Sequence, residues 1–121
     1  MNARRVVAFG MTTSKYGAKP TTLLVDGEQA RFASKREAEA FTKLRILERA
    51  DRIRNLQRQV AFRLDVGGFH VCKYIADFTF EEYQNGEWVP VVADAKGYPT
   101  QVYKLKKKLM KACHGVEIRE L

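Results

Sequence analysis

The chain has 121 residues, with 22 Lys+Arg against 14 Asp+Glu and a formal net charge of +8. Hydrophobic residues make up 45% and aromatics 11%, which sets aside disorder along the whole chain and fits one domain with its own core. No apolar run approaches the ~20 residues of a membrane span, the N-terminus has no signal-peptide apolar region, and Cys72 and Cys113 match neither a disulfide framework nor a zinc spacing, so a cytoplasmic protein is expected.

Residues 1–20 are polar, basic and without period, and are read as a flexible arm before a single domain over 21–121. Leu23–Val25 and Ala30–Phe32 flank Asp26-Gly27, a short hairpin. Ser34-x-x-Glu37 has the form of a capping box and opens a helix that carries Ala38, Phe41, Leu44 and Leu47 at helical spacing and ends near Asp51. Ile53–Leu56 is ambiguous, whereas Val60, Phe62 and Leu64 alternate as in a strand. Phe69–Tyr83 and Trp88–Ala95 read as strands joined by Asn85-Gly86, the strongest short hairpin signal. Pro99 or Thr100 opens a second helix, Gly115 closes it, and Val116–Leu121 alternates as a last short strand. The order is helix, three antiparallel strands, helix, strand: an α/β (α+β) chain with a central mixed sheet flanked by helices.

The positive charge is clustered. Residues 1–25 hold Arg4, Arg5, Lys15 and Lys19 without an acid, and residues 95–116 hold six lysines without one. Residues 43–63 carry seven basic side chains against Glu48 and Asp51. Such clustering fits a polyanion binder, most often of nucleic acid, and fits equally a face that only keeps the protein in solution.

Counting outward from the Asn85-Gly86 turn, one residue per strand, brings Asp77 opposite Asp94, with Cβ atoms about 5 Å apart. Both lie in apolar surroundings, Ile75-Ala76-Asp77-Phe78 and Val91-Val92-Ala93-Asp94. A buried acid pair in this register is costly unless it shares a proton or a divalent cation. Lys96, two residues past Asp94, projects from the same face. Glu37 falls on the apolar face of the first helix and is either a cap for Ser34, a third acid at the site, or both; Glu39 points to solvent. On the second helix, Val102, Leu105, Leu109, Ala112 and Cys113 form one face, opposite a stripe of Lys104, Lys107 and Lys111, with Lys106 and Lys108 on its flanks. The stripe is a solvated face or, beside a metal site, a phosphate track.

Glu37, Asp77 and Asp94-Ala95-Lys96, on helix, strand and strand in that order, resemble the PD-(D/E)XK nuclease superfamily. More closely, the chain is similar to small phage-encoded endonucleases related to endonuclease I-type Holliday junction resolvases. The likeness is carried by Ser14–Gly17, Phe32–Glu39, Gln59–Phe62, Tyr74–Phe78, Val91–Gly97 and Leu105–Leu109. It departs where Ala76 replaces the superfamily's proline, where Ala93 stands for an acid, and where Val60 follows Gln59 in place of proline. The resemblance implies a restriction-endonuclease-like αβββαβ core and a Mg²⁺- or Mn²⁺-dependent endonuclease acting on branched DNA. Asp77 and Asp94 would hold the metal, Glu37 would complete the site and Lys96 would complete the catalytic set. Lys15, Lys19, Lys35, Arg36, Gln59, Lys104, Lys107, Lys108 and Lys111 would contact nucleic acid. It also implies a homodimer from a phage or prophage in a bacterial host.

Two rival functions are a basic nucleic-acid-binding protein without catalysis and a nuclease of the same superfamily acting on another DNA structure. His70 and His114 read as structural or surface, Cys72 and Cys113 as core, and Trp88, Tyr74, Phe78 and Phe80 as sheet packing. Tyr98 and Tyr103 are candidates to stack on unpaired bases.

Overall fold

The structure is a computed structural model and describes residues 19–121. Most of the expected arm, with Lys15, lies outside the described residues. Two compact units divide the chain at Glu39/Ala40.

In the first unit, β1 (Thr21–Val25) and β2 (Glu28–Phe32) form an antiparallel hairpin. Its turn residues, Asp26 and Gly27, both have positive φ, 52° and 84°, the conformation that matches the right-handed twist of the flanking strands. The helix α1 (Lys35–Arg49) begins in this unit. Ser34 Oγ accepts the Glu37 N–H at 3.1 Å, so one of the unpaired donors of the first turn is satisfied as the capping pattern requires.

The second unit carries the rest of α1, which buries Phe41 and Leu44, then β3 (Ile53–Val66), β4 (Phe69–Gln84), β5 (Glu87–Asp94), α2 (Gln101–His114) and β6 (Arg119–Glu120). The order α–β–β–β–α–β is the one read from the sequence. The sheet runs β3-β4-β5-β6, antiparallel through β5 and parallel between β5 and β6, which α2 connects. Thr100 Oγ1 accepts the Tyr103 N–H at 3.1 Å, and Gly115 (φ 68°) closes the helix with its N–H on the Lys111 carbonyl, as a left-handed C′ glycine does. Leu64, Tyr74, Ala76, Val92, Tyr103, Met110 and Ile118 form the core that α2 shares with the sheet.

Three expectations change. First, the ambiguous Ile53–Leu56 belongs to β3. Between the pairs Arg54↔Glu81 and Gln57↔Thr79, β3 carries one residue more than β4. This bulge switches inward-facing positions from odd, at Ile53, to even, at Leu64, which broke the alternation.

Second, α2 is turned by roughly a quarter of a revolution from the expected face. Tyr103 and Met110 are its buried anchors, while Val102 and Leu105 stand 62% and 58% exposed and Ala112 is also exposed. Leu109 and Cys113 of the expected face still pack, partly buried, against the edge of the core. Third, Leu47 is half-exposed at the rim of the α1 face. No described helix is long and apolar enough to cross a membrane.

Candidate functional site

The β4–β5 hairpin keeps the register counted from its turn, where Asn85 and Gly86 both have positive φ. Every pair from Gln84↔Glu87 to Phe78↔Ala93 obeys it. One step further, where the ladder ends, Asp77 and Asp94 meet. Asp94 is fully buried and Asp77 nearly so.

The two residues hold each other through backbone and side chain. Asp77 donates its N–H to Asp94 Oδ1 at 2.8 Å, and Asp77 Oδ2 accepts the Ala95 N–H at 3.0 Å. The other oxygens are also occupied. Tyr74 donates its hydroxyl to Asp94 Oδ2, and Gln59 Nε2 reaches Asp77 Oδ1 at 3.4 Å.

Burial pushes the Asp94 carboxyl above its ordinary range, and the charge of Asp77 adds to this; Tyr74, the Asp77 N–H and Lys96 pull the other way. Burial, and then the neighbouring Asp94 carboxylate, keep the Tyr74 hydroxyl protonated far above its usual range, so it stays a donor. Lys96 is partly buried, with Nζ 5.4 Å from the centre of the Tyr103 ring. Its charge lowers the Asp94 carboxyl pKa, against the larger effect of burial.

Tyr103 also lines an open groove of about 770 Å³ beside α2, with Pro99, Lys104, Lys107, Lys108 and Lys111. Its hydroxyl donates to Glu120 Oε2 at 3.3 Å, and the same oxygen takes Lys107 Nζ at 2.7 Å. Ion pairing with Lys107 holds the Glu120 carboxyl below its usual range. Lysines of the stripe therefore border a groove; Lys107 is tied to an acid, while among the described residues Lys104, Lys108 and Lys111 have no ion pair.

The other candidate residues take the following places. Tyr103 is buried and hydrogen-bonded, so it does not offer a free ring to unpaired bases; Tyr98 is exposed. Gln59, expected at nucleic acid, turns its amide to Asp77. Lys19, Lys35 and Arg36 are exposed. His70 lies 2.8 Å from Asp65, and Cys72 and Cys113 are partly buried at the margin of the core. Glu37 is buried in the first turn of α1; it belongs to the first unit, and the sequence resemblance alone marks it as a ligand.

Tyr74 is the site residue that sequence reasoning missed. Its alternation fits sheet packing, and only the end of the ladder brings its hydroxyl to Asp94.

Two buried carboxylates side by side form a hard oxygen donor set whose mutual repulsion a cation would relieve. Among the described residues, no group of three or more His, Cys, Asp and Glu side chains is arranged to hold a metal. A two-carboxylate set nevertheless fits Mg²⁺, which commonly takes one or two protein carboxylates and fills its remaining positions with water and phosphate oxygens.

Neither a comparison with curated proteins nor one with solved structures gave a match. The family described as a protein of unknown function, DUF1064, matches residues 13–119, nearly the whole chain, and the chain belongs to that family.

Proposed function

We propose that the protein is a metal-dependent DNA endonuclease that hydrolyses phosphodiester bonds of branched DNA and works as a homodimer. The observation that carries the chemistry is the buried Asp77–Asp94 pair, with Lys96 at its edge. The preference for branched DNA and the dimer rest on the sequence resemblance to resolvases. Asp77 and Asp94 would hold Mg²⁺ or Mn²⁺, and the metal when bound would polarise the scissile phosphate and acidify a water.

The chain's own residues supply the rest. Ala95 N–H and the Asp77 N–H fix the two carboxylates against the backbone. Tyr74 holds one oxygen of Asp94. Lys96 carries the positive charge that offsets charge growing on phosphate. Lys104, Lys108 and Lys111 hold backbone phosphates along the groove, which Tyr103 joins to Lys96.

A second reading is favoured by the hydrogen bonds themselves. Each carboxylate oxygen of the pair already has a protein donor, as it would if the pair only pinned the strand ends and the protein bound nucleic acid without cutting it. A panel of four-way junction, flap, duplex and single-stranded DNA, incubated with Mg²⁺ and with Mn²⁺ at fixed salt, separates the two. Cleavage of the junction ahead of the duplex is the expected result. Salt-sensitive binding without cleavage of any substrate in either metal would establish the second reading.

A further inference from the structure

Besides Asp51, just past the end of α1, the described helix–sheet unit has three non-glycine residues with positive φ: Asn55 (57°), Gln59 (54°) and Asn85 (49°). Asparagine visits this left-handed region readily; glutamine does so far less. Asn85 makes the hairpin turn, and Asn55 sits in the β3 bulge with its amide on Glu81 at 3.0 Å.

Gln59 has neither excuse. The pairs on its two sides, Arg58↔Phe78 and Val60↔Ala76, keep one register, so no extra residue is being absorbed there. It stands directly across from Asp77, and these two positions are the ones missing from that run of pairs. Strained backbone of this kind persists where the surrounding structure or a function holds it. What the conformation achieves here is contact between the Gln59 amide and Asp77 Oδ1, 3.4 Å away, while Ala95 N–H holds Oδ2 at 3.0 Å. Asp77 is thereby gripped from β3 on one side and from the end of β5 on the other.

We propose that Gln59 is a positioning residue. Its left-handed backbone aims the side-chain amide at Asp77 and fixes that carboxylate in the orientation a divalent cation requires. The inference rests on reading the acid pair as a cation site. An amide N–H cannot be a ligand, so Gln59 acts through Asp77, as groups that orient metal-binding carboxylates do. The role also accounts for glutamine at a position whose backbone favours glycine or asparagine.

The test uses the full-length protein with Gln59→Gly and Gln59→Met. Glycine removes both the amide and the strain, whereas methionine removes the amide and keeps the chain length and the strain. Two readouts are taken: the melting temperature in EDTA, and Mn²⁺ affinity by electron paramagnetic resonance. Mn²⁺ affinity is expected to fall about 10- to 100-fold in both variants, while Gln59→Gly melts at or above the wild-type temperature and above Gln59→Met. Affinity then follows the amide and melting follows the backbone.

Wild-type affinity in either variant overturns the proposal and leaves the cation site standing. A Gln59→Gly protein that melts well below wild type overturns it in favour of a structural role. Failure of the wild-type protein to bind Mn²⁺ removes the cation site itself, and this inference with it.

Discussion

Replacing Asp94 by asparagine separates the stability of the fold from the chemistry of the site. Asp94 is fully buried, and its partner across the strands is another carboxylate. The charged form is disfavoured chiefly by burial, and each unit by which its pKa is lifted holds ~1.4 kcal/mol against the ionised state. Asparagine keeps the contacts. Its carbonyl can accept the Asp77 N–H, and its amide can donate to the Tyr74 oxygen, which reverses its role. The Asp94→Asn protein is therefore expected to melt above the wild type at pH 7 without metal.

For a chain of 121 residues, each kcal/mol raises Tm by about 4 °C. The sign with pH follows from the raised pKa. Wild-type Asp94 costs stability once it ionises, so the advantage of the variant is full above the folded pKa and shrinks as pH falls toward the unfolded value near 4. Metal should reverse the ranking. An ion at about one hundred times its dissociation constant stabilises the wild type by about 2.7 kcal/mol and leaves Asp94→Asn where it was. Thermal melts of both proteins in EDTA and in Mg²⁺, from pH 4 to 8, read all of this. A variant that melts below wild type in EDTA at pH 7, or that rises with Mg²⁺ as much as wild type does, would refute the reasoning.

Other outcomes follow from the same geometry. Arg119 grips Glu82 with two bonds, at 2.9 and 3.0 Å, linking β6 to β4, and this holds the Glu82 carboxyl below its usual range. Because the pair is partly exposed, Arg119→Ala should cost only about 0.5–1 kcal/mol at pH 7. Urea melts should show that cost disappearing as pH falls below the ordinary glutamate value and Glu82 takes up its proton. In DNA-binding titrations in EDTA, Lys104→Ala, Lys108→Ala and Lys111→Ala should each lower the slope of log affinity against log salt by about 0.9. Glu120→Gln should tighten binding, since it releases Lys107 from the 2.7 Å pair and removes an acid from the groove. An unchanged slope in all three lysine variants would take the groove out of the DNA path.

How far the sequence could be read depended on the range of the signal. The Asn85-Gly86 turn is local, and it determined the β4–β5 register out to the acid pair. Ser34 and Glu37, Thr100 and Gly115 are local too, and the helix ends follow them. The β3 bulge was hidden because one extra residue between Arg54 and Gln57 reverses the alternation that defines a strand in sequence. The face of α2 was misjudged by counting apolar positions, when Tyr103, left out of that count for its hydroxyl and ring, is buried together with Met110 while Val102 and Leu105 stay exposed. The parts played by Tyr74 and Gln59 could not be seen at all. Tyr74 depends on where its hydroxyl ends across the sheet, and Gln59 on a backbone angle that no residue pattern announces for glutamine.

Metal-dependent cleavage by the Asp77–Asp94 pair is decided by single-turnover cleavage of a synthetic four-way junction in Mg²⁺, comparing wild type with Asp77→Asn and Asp94→Asn at protein concentrations that saturate binding. The wild type is expected to cleave, and both variants to bind the junction unchanged with cleavage reduced by at least about 100-fold, roughly 2.7 kcal/mol of lost transition-state stabilisation. Equal cleavage by all three proteins would contradict it.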